Sequence, residues 1–116
     1  MKMMHVTIQT KYFDEEIKFY QEIVGLKIKG EIKGMGRNIV FLGGNDEDTK
    51  IEIIQKPDAD MSGNMHISLG YKSEDLKEQR AKLIAEGYEV SEMISPAPGI
   101  QFFFTKDPAG VTIQFM

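Results

Sequence analysis

One pattern occurs twice in this 116-residue chain, and a chain that repeats itself over its whole length has few folds open to it. The first copy opens with HVTIQT from His5, the second with HISLGY from His66. These histidines are 61 residues apart. Glu52 in KIEIIQ and Gln114 in VTIQFM are separated by 62, and so are Gly25 and Gly87, which end two helix-like segments. The repeat therefore belongs to the fold, and candidate donor residues ride on it in near register.

Each copy reads strand, helix, strand, strand, strand. MMHVTIQ alternates, with Met4, Val6 and Ile8 on one face and His5, Thr7 and Gln9 on the other. DEEIKFYQEIVG predicts a helix with Asp14 as N-cap, Glu15 and Glu16 against the dipole, and a buried stripe of Phe13, Ile17, Tyr20 and Val24. LKIKGEI, RNIVFLG and KIEIIQ predict three strands, the last two joined by the acidic GGNDEDT, read as a solvated turn.

KPDADMSG (56–63) interrupts the periodicity, placing module one at about 1–58 and module two at about 59–116 of a single domain. The pattern then restarts. NMHISLGY predicts a strand with Met65, Ile67 and Leu69 on its apolar face. SEDLKEQRAKLIAEG predicts a helix capped by Ser73, with Leu76, Leu83 and Ile84 buried. YEVSEMI, IQFFFTK and VTIQFM predict three strands, joined by turns at SPAPG (95–99) and DPAG (107–110).

Strand alternation sends His5, Glu52, His66 and Gln114 to the face opposite the helices. A lone histidine there is ordinarily a polar residue on a solvated strand. Two at matched repeat positions, with Glu52, favour metal ligation; Gln114 stands evenly between ligand and bystander. Two imidazoles, a carboxylate and an amide oxygen suit zinc, nickel, manganese or iron(II). Phe102 and Phe104 share one strand face and Phe103 the other, with Phe103 a minority candidate for a pocket wall. Met35 and Met93 are candidate pocket lids, though filler is the commoner role for such methionines.

Bulk properties exclude other classes. A net charge of −4, with Arg37 and Arg80 the only arginines, lacks the basic face that nucleic acid requires. Without cysteine there is no disulfide, thiolate site or cysteine nucleophile, which suits a cytoplasmic protein. MKMMHVTIQT has no apolar h-region, and no run reaches the length of a membrane span.

His5 in its strand, FYQEIVGL (19–26), Glu52 in IEII, His66 in HISL and DPAGVTIQF (107–115) together resemble the vicinal oxygen chelate superfamily of glyoxalases, bleomycin-resistance proteins and dioxygenases. The resemblance covers the whole length. It implies an α+β fold of paired βαβββ modules forming an open, cupped, barrel-like sheet with helices outside.

Ligand order is most similar to glyoxalase I. That implies a metal-dependent lyase or isomerase acting on a small substrate through vicinal oxygens by enediolate stabilisation, with Glu52 as base and His5, Glu52, His66 and Gln114 around a divalent metal. A homodimer is implied as well. Alternatives within the family are a non-catalytic small-molecule-binding or antibiotic-resistance-type protein and an iron(II) extradiol-type dioxygenase. Gln114 replaces the second glutamate of glyoxalase I, and an amide cannot accept a proton as a base. Short bacterial glyoxalase I commonly has arginine where Gln9 stands, for the glutathione carboxylate; Lys56 is a candidate replacement anchor.

Overall fold

The computed structural model describes residues 1–34 and 36–116, with residues 63–65 treated through their backbone alone. Met35 and the side chain of Met65, both assigned roles above, lie outside the described residues. Two compact units, Met1–Met61 and Ser62–Met116, make up the chain.

In the first unit, β1 (His5–Thr10), β2 (Lys27–Ile32), β3 (Ile39–Gly43) and β4 (Lys50–Gln55) form one sheet in the order β1-β4-β3-β2. β1 runs parallel to β4, and the other pairs are antiparallel. A parallel pair needs a crossover, and α1 (Phe13–Phe19) begins it. The second unit repeats this with β5 (Ser68–Tyr71), α2 (Leu76–Ala85), β6 (Ile94–Ala97), β7 (Ile100–Lys106) and β8 (Thr112–Phe115), ordered β5-β8-β7-β6. Two open, mixed four-stranded sheets with two helices are the βαβββ modules expected.

α1 differs from its prediction in detail. Its N-cap is Tyr12, not Asp14, and Asp14, Glu15 and Glu16 occupy the first turn. The helix widens into a π-helical turn at Tyr20–Val24, where the Gly25 N–H donates to Tyr20 O in the left-handed conformation (φ 84°) that favours glycine. The buried stripe is accordingly Phe13, Glu16, Phe19, Tyr20 and Ile23, while Ile17 and Val24 are only half-buried.

In α2 the cap is Asp75 rather than Ser73. The Asp75 carboxylate accepts from the Glu78 N–H at 3.1 Å, and the Ser73 N–H is committed to Met116 O. Leu83 is fully buried, Leu76 half-buried and Ile84 exposed. Asp75→Ala is expected to cost about 1 kcal/mol of stability. Chemical denaturation checks it, and Ser73→Ala is the control that stays near wild type.

Strand boundaries in the second unit also shift. β6 is Ile94–Ala97, so YEVSEMI is not a strand and SPAPG is partly one. The reason is local. Phe104 N–H donates to Ser91 Oγ (2.9 Å) while Ser91 N–H donates to Phe104 O (2.8 Å), so a side chain replaces a ladder carbonyl. Edge position lets β6 tolerate Pro96. Met93, a candidate lid, is half-buried beside it. The acidic hairpin turn 44–49 is exposed, with Lys50 Nζ donating to the carbonyls of Asp46 and Asp48.

Candidate functional site

β1 and β4 place the first pair of donors. Ile8, Ile51 and Ile53 are buried on the helix side, which turns His5, Thr7 and Glu52 to the opposite face. The ladder puts Thr7 beside Glu52 and Glu52 beside Phe41, so these three form one row across β1, β4 and β3. Thr7 Oγ1 donates to Glu52 Oε1 at 2.5 Å. His5 Nε2 lies 3.5 Å from the same oxygen, with the imidazole edge-on to Phe41 at 5.8 Å between ring centres.

The 3.5 Å separation is informative. Charge-assisted N–H···O bonds run at about 2.7–2.9 Å, so the imidazole and carboxylate are not spent on each other. Two donors at about 2.0–2.2 Å from one tetrahedral ion lie about 3.4 Å apart. Glu52 is largely shielded, its side chain 14% exposed, while His5 at 41% borders a cleft of about 440 Å³ with Phe41, Met4 and Lys50. Glu52 Oε2 takes no hydrogen bond among the described residues. Thr7 escaped the sequence reading, although it shares the alternating face of His5 and was legible there as a neighbour.

In the second unit, Gln114 occupies the matching row, between Gly70 on β5 and Phe104 on β7. Gly70 stands where Thr7 stands in the first unit. A Cβ there would lie 4.0 Å from Gln114 Oε1, so nothing from β5 covers the amide. Val111, Ile113 and Phe115 are buried on one face, as alternation predicts.

His66 is placed differently from His5. It ends a 3-10 turn, Met61–His66, and β5 starts only at Ser68. NMHISLGY is thus not one strand, and Ile67 is 54% exposed rather than on an apolar face. Ser62, Gly63 and Asn64 favour a turn over extended chain. By ladder register the residue equivalent to His5 is Ser68, since Ser68 faces Thr112 as His5 faces Lys50. The histidines match in spacing, not in local structure.

Among the described residues, no three His, Asp or Glu side chains are grouped around one metal position. Phe103, the minority candidate for a pocket wall, is fully buried core. Phe102 and Phe104, packed edge-on at 5.5 Å, hold the opposite face instead. Gln9 and Lys56 are both exposed.

Two βαβββ units, each with polar side chains on the sheet face opposite its buried apolar ones, define the class of fold. The chain belongs to the Glyoxalase/Bleomycin resistance protein/Dioxygenase superfamily, whose model matches residues 2–115. It is 27% identical to the uncharacterized protein YwbC of Bacillus subtilis, over 96% of this chain and 93% of that one. Its fold is similar to the trypanothione-dependent glyoxalase I of Leishmania major, with a TM-score of 0.81, 24% identity, and 100% of this chain and 86% of that one covered. Similarity also extends to TnmS3, an antibiotic binding protein of Streptomyces sp. CB03234, with a TM-score of 0.74, 16% identity and coverage of 99% and 93%. No helix among the described residues is long and apolar enough to cross a membrane.

Proposed function

We propose that this chain is a glyoxalase-like, metal-dependent lyase or isomerase acting on a small substrate through two adjacent oxygens. The observation that carries the reading is the His5–Glu52 pair, two donors 3.5 Å apart on one sheet face. That spacing and donor chemistry fit a divalent ion. His66 and Gln114 are the proposed remaining ligands, drawn from this chain or from a second copy in a homodimer. A cytoplasmic setting suits a chain without cysteine.

A bound ion supplies positive charge that polarises the substrate's vicinal oxygens. The chain's own residues do the rest. Thr7 holds Glu52 through Oε1 and so orients the carboxylate, the role outer partners play at metal sites. Oε2 remains open to accept a proton from the substrate carbon. Gln114 cannot share that work, because an amide lacks a basic site. Glu52 is therefore the sole base of this proposal.

Glu52→Gln is expected to lower turnover of a hemithioacetal substrate by about 100-fold or more, with the fold intact by circular dichroism. Metal analysis after purification without chelator is the prior test. Stoichiometric zinc, nickel, manganese or iron supports the reading; well-folded, metal-free protein from metal-supplemented buffer overturns it.

A second reading, a non-catalytic small-molecule-binding or resistance-type protein, is favoured by the uncovered amide of Gln114 beside Gly70. Its mark is a ligand-induced thermal shift in metal-free protein with no turnover. Oxygen uptake with iron(II) distinguishes the dioxygenase alternative.

A further inference from the structure

A cleft of about 580 Å³ lies in the second unit, between the 87–91 segment and β7–β8. That size suits a small organic ligand. Its apolar wall is Tyr88, Val90 and Phe104; its polar end is Lys106 and Thr112. Strand parity puts Phe104, Lys106 and Thr112 on the same face as Gln114.

The ladder sets the chemistry of this face. Lys106 and Thr112 are direct cross-strand partners, and Phe104 and Gln114 are the next pair on the same face. Cβ atoms of directly opposed residues lie about 4.5–5.5 Å apart, so the Lys106 ammonium and the Thr112 hydroxyl are within reach of one group. Among the described residues Lys106 has no ion-pair partner, unlike Lys2 and Lys29, which pair with Glu47 and Asp46. Glu89 also borders the cleft; its carbonyl accepts from Thr105 Oγ1 at 2.8 Å and its side chain is exposed. Phe104 lines the cleft and packs in a T-shaped pair with Phe102, which gives the wall an aromatic surface for a planar body.

We propose that this cleft binds the planar, apolar body of a small organic anion, with Lys106 and Thr112 holding its carboxylate. The inference deepens the functional reading above and rests on it in one respect: that the face bearing Gln114 is the ligand face. It supplies a ligand class for this cleft, an unsaturated or aromatic carboxylate. It also assigns Lys106 the anion-anchoring role for which Lys56 was the sequence candidate.

The test uses the full chain, freed of metal by chelator, titrated with 2-naphthoate and with its neutral isostere 2-naphthamide by NMR. Saturable shifts at Tyr88, Val90, Phe104 and Lys106 are expected for naphthoate, with naphthamide weaker by about tenfold or more. Lys106→Met is expected to bring naphthoate down to the affinity of the amide. Lys106 is exposed, so this variant folds, and Lys77→Met, at an exposed lysine of α2 away from the cleft, serves as a matched control that leaves affinity unchanged. Equal binding of acid and amide, indifference to Lys106→Met, or no saturable shift overturns the proposal. Metal uptake without naphthoate binding removes the anion cleft alone. Naphthoate binding by protein that never takes up metal keeps the cleft and removes the metal reading.

Discussion

Asp107→Ala is expected to destabilise the protein by about 3 kcal/mol, lowering the melting temperature by about 10 °C. Asp107 is 4% exposed, and its Oδ1 accepts from the Ala109 and Val111 N–H groups at 3.0 and 2.9 Å. Alanine removes the acceptor and strands two buried donors, whose desolvation is then unrecovered. The same turn needs Gly110 at φ 87°, and it delivers the chain into β8 two residues before Thr112 pairs with Ser68. Loss of the carboxylate therefore loosens the strand that carries Gln114. Asp107→Asn keeps an oxygen at the same place and is expected to cost less than half as much. Thermal denaturation of the two variants side by side checks this; equal losses would show that the carboxylate charge, not the acceptor geometry, holds the turn.

His5→Ala is the second large effect. If His5 and Glu52 are two ligands of one ion, removing the imidazole is expected to weaken metal binding by about 100-fold or more, beyond the 10–100-fold typical of an outer partner. The fold is expected to stay intact, because the His5 side chain is 41% exposed and meets Phe41 in a T-shaped contact at the sheet surface. Competition against a chromophoric chelator measures the affinity. Unchanged stoichiometric uptake by the variant would remove His5 from the ligand set.

Much of this was visible along the chain. Alternation in IEIIQ and VTIQF was enough to send Ile51, Ile53, Ile113 and Phe115 inward and Glu52 and Gln114 outward. Gly25 and Gly87 ended their helices at φ 84° and 88°, where a left-handed residue was expected. Other readings failed where a side chain competed with the backbone. Ser91 Oγ took a ladder position and displaced β6; Asp75, not Ser73, found the Glu78 N–H; Glu16 and Phe19 were buried in α1 ahead of Ile17, and Ile23 in the following π-helical turn ahead of Val24.

Local periodicity thus established, before any coordinates, that the chain is a duplicated βαβββ unit and which face of each strand is polar. Periods of two and of 3.6 residues are written into neighbouring side chains, so they can be read from a single segment. Register cannot, because it is set by hydrogen bonds between segments about 45 residues apart, as for Thr7 and Glu52. Only the folded ladder decided that Thr7 braces Glu52, that Gly70 leaves Gln114 uncovered, and that Lys106 stands beside Thr112. It likewise decided that His66 precedes its strand while His5 lies within one, since a turn's preference at Ser62–Asn64 prevailed over an alternation that began four residues before the strand does.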